Sequence, residues 1–112
     1  AILWVQGESD ASLKFSTDET LDNMVYIINQ SRAVQPIPWY VAIDGMNHEP
    51  TRLAQELLVQ YKLAKRGPDM DILRNTKPHN WEAGLGEIAT LDGHMDHAKA
   101  WYQVLKSDFN LE

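Results

Sequence analysis

The sequence predicts an α/β fold, a parallel sheet flanked by helices in three layers, on three observations. Two short apolar runs, residues 2–5 and 39–43, each end abruptly in polar residues. A stretch with helical periodicity follows each run, so strands and helices alternate along the chain. Neither run carries a charge, which suits strands covered on both faces better than one-sided antiparallel strands.

The elements follow in order. Ile2 to Val5 reads as a strand buried on both faces, and Gly7 to Ser16 reads as loop. Ser16 and Glu19 form a capping box, each side chain able to satisfy a backbone donor of the other residue. Leu21, Met24, Val25 and Ile28 then recur at helical spacing, predicting an amphipathic helix to about Ser31. Pro36 and Pro38 break the chain before Trp39 to Ile43, the second strand, which ends at Asp44-Gly45. Pro50 suits a first helical turn. The stripe of the next helix is Leu53, Leu57, Tyr61 and Ala64, with Lys65, Arg66 and Gly67 as a basic last turn and stop.

Gly67-Pro68-Asp69 reads as a loop leading to a short, weak third strand from Met70 to Leu73. Residues 75–91 are ambiguous, a loop with a short helix around Glu82 to Leu91. Met95, Ala98, Trp101, Tyr102 and Leu105 mark a final helix. Three strands are few for this architecture, and the first is already a core strand. The 112 residues therefore read as one portion of a domain, with the sheet incomplete on its amino-terminal side.

Composition narrows the partners. A hydrophobic fraction of 44% suffices for a packed core. Ten basic against 16 acidic residues give a net charge of −6, which argues against nucleic acid or an anionic membrane as partner. No apolar run approaches the roughly 20 residues that span a bilayer. The absence of cysteine removes disulfides, thiolate metal sites and a thiol nucleophile, and it is compatible with a cytoplasmic or a secreted protein.

Two short constellations carry chemistry. In Gln6-Gly7-Glu8, a side-chain amide at a strand end can donate to an oxyanion forming on an acyl carbon, and glycine permits close approach. Glu8 can orient these groups or anchor the loop. The same residues also read as a strand followed by a polar turn. In Asp92-Gly93-His94, a carboxylate and an imidazole stand two residues apart, as a serine hydrolase base and its orienting partner require. They also read as an ordinary helix start with Asp92 near the cap.

Asp92, His94, Asp96 and His97 lie close enough to suggest a divalent-ion site, but no further ligand element accompanies them, so a solvated helix start is the better reading. Among the aromatic residues, Trp4, Trp39 and Trp101 fit packing, while Trp81 is the one suspected of a surface or site role. No Gly-x-Ser-x-Gly occurs, and Ser9, Ser12, Ser16, Ser31 and Ser107 all have loop, cap or surface explanations.

Residues 4–10, Trp-Val-Gln-Gly-Glu-Ser-Asp, resemble a block of the sialate O-acetylesterase-like carbohydrate esterases, which belong to the SGNH (GDSL-like) hydrolases. Further similarities follow in order. Pro38 to Ala42 resembles the central strand, Thr51 to Gln55 the Arg-x-Ala-Gln helix, and Gly67 to Asp71 the Gly-Pro-Asp-x-Asp loop. Asp92-Gly93-His94 resembles the late Asp/His block, and His79, in His-Asn-Trp-Glu-Ala-Gly-Leu, resembles a run of some members and stands as the alternative base.

The resemblance covers nearly the whole chain but only the carboxyl-terminal part of the family domain. It implies an SGNH or flavodoxin-like fold and cofactor-free removal of O-acetyl groups from a carbohydrate. It implies Gln6 and Gly7 as oxyanion hole, Glu8 as support, His94 as base and acid, and Asp92 as its orienting carboxylate. The nucleophilic serine of that family lies in an amino-terminal Gly-x-Ser block. An amino-terminal fragment or a second chain would have to supply it, and this chain alone is expected to be inactive.

Overall fold

The structure is a computed structural model that describes residues 1–81 and 90–111. The chain runs β1 (Ile2–Trp4), α1 (Glu8–Ser12), α2 (Thr17–Val34), β2 (Trp39–Ile43), α3 (Glu49–Gln60), β3 (Lys65–Asp69) and α4 (Met70–Thr76). A 3-10 turn (Pro78–Asn80) and α5 (Leu91–Asp108) complete it. All pairing is parallel, in the order β1-β2-β3, with Trp4 opposite Val41 and Ile43 opposite Asp69.

β2 is the centre, buried at all five residues, and its alternation builds both cores. Trp39 and Val41 point to one face and pack with Met24 and Ile28 of α2 and Leu58 of α3. Tyr40 and Ala42 point to the other and pack with Met70, Trp81 and Trp101. Burying side chains such as Ile28 and Leu58 contributes about 1.5–3 kcal/mol each. The strands are added in one direction, and right-handed crossovers then place both connecting helices on one face. α5, which follows β3, covers the other. The three-layer α/β arrangement thus stands.

Several boundaries differ from the pattern, each for a physical reason. β1 is not covered on both faces: Leu3 is 45% exposed and Val5, just past the strand, 39%, and β1 is an edge strand paired only with β2 among the described residues. Within the Gly7–Ser16 loop, residues 8–12 form a short helix. The Ser16 capping box is present as expected, with the Glu19 amide donating to Ser16 Oγ at 3.1 Å, and α2 continues past Ser31 to Val34.

The largest difference concerns the third strand, which is Lys65–Asp69; Met70–Leu73 is the start of α4 instead. α3 ends early because Lys62 takes a left-handed φ of 60° and the amides of Leu63 and Ala64 both return to the Leu58 carbonyl. Lys65 and Arg66 are therefore not the basic end of a helix. They are charges on a strand that is an edge among the described residues and also holds Pro68, both features that protect an edge from further pairing. Asp69 then caps α4 by accepting from the Ile72 amide at 3.1 Å. The last helix starts at Leu91, ahead of Met95, and so takes in Asp92 and His94. Of the short helix expected around Glu82 to Leu91, residues 82–89 lie outside the described residues.

Candidate functional site

The strands deliver Gln6-Gly7, Asp44-Gly45 and Asp69 to one rim, the carboxyl ends of a parallel sheet, where α/β proteins bind ligands. Gln55, fully buried on α3, ties two of these ends together. Its Oε1 accepts from the Asp44 amide at 2.8 Å, and its Nε2 donates to the carbonyls of Gln6 at 2.8 Å and Asp44 at 3.0 Å. Gly7 passes so close that a Cβ there would lie 1.8 Å from the Asp44 carbonyl oxygen. Its carbonyl accepts the Ala11 amide and so starts α1, which places Glu8 over the rim.

An ionic network lies beneath this loop. Arg74 of α4 donates to Asp44, to Asp71 at 3.0 Å and to Glu8. Arg52 of α3 grips Asp69 at 2.6 and 2.9 Å and reaches Asp71 at 2.7 Å. Asp71 Oδ2 also accepts the amides of Gly45 and Asn47, each at 3.2 Å. The bond with Asp69 leads in raising the Arg52 pKa. Burial opposes the charge on Arg74, but bonding to Asp44 and the surrounding carboxylates outweigh it and raise its pKa. Burial likewise opposes ionisation of Asp69, yet the Arg52 bond and the α4 amides hold its carboxyl below the usual range. Both guanidiniums are fully committed to the fold.

Above the network is a cavity of 170 Å³, walled by Val5, Glu8, Asp44, Met70, Arg74, Trp81, His94 and His97. Glu8 from the first motif and His94 from the late one meet here, and Trp81, the aromatic suspected of a site role, forms the apolar side. Asp44 is wholly buried; one carboxylate oxygen holds Arg74, and Oδ2 has no hydrogen-bond partner among the described residues.

The other candidates are placed differently. Gln6 walls a separate cavity of 410 Å³ on the α2 side, with Trp4, Asp10 and Met24. Asp92 and His94 are both exposed in the first turn of α5. Two residues on a helix are about 200° apart, so the pair does not share a face, and Asp92 is not among the cavity walls. His79 is exposed on the 3-10 turn and is also not a cavity wall. Among the described residues no group of three or more His, Asp or Glu could hold a metal ion, and Asp96 bonds Asn80 at 2.7 Å instead. None of the cavity walls is a serine.

His97 receives the Trp101 indole N–H on Nε2 at 3.0 Å, which assigns the proton of the neutral ring to Nδ1 and occupies its basic nitrogen. Burial lowers its pKa; Asp44 opposes this, and His94 and Arg74 reinforce it. His94 is thus the freer imidazole. The unfolded chain protonates His97 more readily than the fold does, so stability is full above the ordinary histidine pKa of about 6.5 and falls as pH drops below it. Chemical denaturation between pH 7.5 and 5 is expected to show this loss, with a slope of up to about one proton. His97→Gln is expected to flatten it, and an unchanged slope in that variant would exclude His97 as the source.

Compared with known proteins, the chain matches no family model, no curated protein and no solved structure.

Proposed function

We propose that the chain is the carboxyl-terminal portion of an SGNH-type serine esterase that removes O-acetyl groups from a carbohydrate. The observation that carries this reading is the cavity at the carboxyl rim, which Glu8 of the strand-end motif and His94 of the late motif both line. A serine on a segment outside this chain would attack the acetyl carbonyl while His94 takes the hydroxyl proton. The oxyanion would need a donor beside that cavity, because Gln6 walls the separate cavity on the α2 side and Gly7 walls neither. Collapse would expel the sugar alkoxide, which takes the proton from His94, and water would then release acetate by the same route. Glu8 and Asp44, both bonded to Arg74, line the same cavity as His94, whereas Asp92 does not.

The test is acetate release from acetylated glycosides, with fluorophosphonate labelling, by the chain joined to a Ser-bearing amino-terminal segment. A labelled serine is expected, and His94→Gln is expected to lower kcat by about 10²–10⁴-fold. An unlabelled, inactive assembly, or a His94→Gln variant as active as its parent, would sink the proposal. One feature favours a second reading, a non-catalytic half-domain for binding or assembly: the β1 edge leaves Leu3 and Val5 exposed. An assembly that forms through that edge and releases no acetate belongs to that reading.

A further inference from the structure

We infer that the cavity between the strand ends and α5 is a subsite for a single sugar ring, in which Asp44 Oδ2 accepts a hydrogen bond from a ring hydroxyl. The inference rests on the carbohydrate reading above and adds the ligand contact. A buried carboxylate oxygen without a donor is costly, and native interiors rarely retain one. Asp44 is such a group, fully buried, with Arg74 on one oxygen and no partner for Oδ2 among the described residues, and it walls the cavity.

The surroundings decide which kind of donor fits. An anion would be repelled by Glu8 and Asp44, and the Arg74 charge that could attract it is already spent on three carboxylates. The described residues offer no grouping for a metal ion. A neutral hydroxyl satisfies the orphaned oxygen without the repulsion that an anion would meet. Trp81, Met70 and Val5 supply an apolar wall opposite the polar one, which suits a ring with a C–H face and hydroxyls at its rim. At 170 Å³ the space is below the range of about 300 Å³ and upward typical of ligand pockets, so it admits one ring and not an oligosaccharide.

The experiment is an NMR titration of the chain with methyl pyranosides of pentoses and hexoses, acetylated and free. Saturable shifts are expected at the Trp81 indole N–H and the His94 ring. Asp44→Asn keeps the acceptor for Arg74 and turns the second position from acceptor to donor. It is expected to weaken binding by about 10- to 100-fold, the worth of one hydrogen bond to a charged group. A monodeoxy series on the unaltered chain repeats the test without any variant, and a similar loss is expected for one ring position only. Equal affinity for parent and folded Asp44→Asn, or across the whole deoxy series, would overturn the Asp44 contact and leave the esterase reading standing. No pyranoside binding by the parent chain would overturn the subsite, while acetate release judges the esterase reading separately.

Discussion

Gly7→Ala is expected to destabilise the chain by about 3–5 kcal/mol, combining backbone strain with a hard clash. The φ of 147° at Gly7 lies where L side chains rarely go. The added Cβ would also meet the Asp44 carbonyl oxygen at 1.8 Å and Gln55 Nε2 at 2.5 Å. Neither can retreat cheaply, since Asp44 ends the central strand and Gln55 is held by three hydrogen bonds. Gly45→Ala is the control. Its Cβ would come within 2.8 Å of Arg52 Cγ and 3.1 Å of the His48 carbonyl oxygen, but no left-handed φ adds strain, and a smaller loss of about 1–3 kcal/mol is expected. Urea denaturation at pH 7 compares the two. Equal midpoints would mean that the Gly7 loop is not locked to the end of β2.

The central features of this fold are legible because their causes are local. β2 is apolar at every position of Trp39–Ile43, and only burial on both faces explains that. The Ser16 capping box needs just two side chains and their own backbone. β3 was illegible for the opposite reason. Lys65-Arg66-Gly67-Pro68-Asp69 has neither alternation nor hydrophobicity, and it becomes a strand because β2 offers it a ladder. Edge strands are chosen against a strong strand signature, so periodicity is least informative where the sheet stops.

The site divides along the same line. Glu8 and His94 came from short motifs, and the cavity brings them together. The spacing of Asp92 and His94 suggested a pair only while their conformation was open; once both belong to α5, helical geometry separates them. Arg74 carried no motif at all. Its one sequence signal was a cation three residues after Asp71, and its partners Asp44 and Glu8 lie 30 and 66 residues away. Such long-range ionic contacts become visible only after the strands are paired.

Arg74→Met is expected to cost about 3–5 kcal/mol at pH 7, the usual penalty for removing one partner of a buried ion pair. Asp71 would keep Arg52 and the amides of Gly45 and Asn47, but Asp44, wholly buried, would lose its only side-chain donor among the described residues. An uncompensated carboxylate in that position would rather bind a proton, so its folded pKa would rise above the unfolded value of about 3.9. The folded variant would then hold more protons than the unfolded chain, and its stability would increase as pH falls towards that value. The deficit against the parent is therefore expected to narrow between pH 7 and 4.5. Adding Asp44→Asn removes the stranded charge, so the double variant is expected to be more stable than Arg74→Met alone. Strictly additive losses at every pH, measured by urea denaturation of the four proteins in this cycle, would show that Arg74 acts by packing and not by neutralising Asp44.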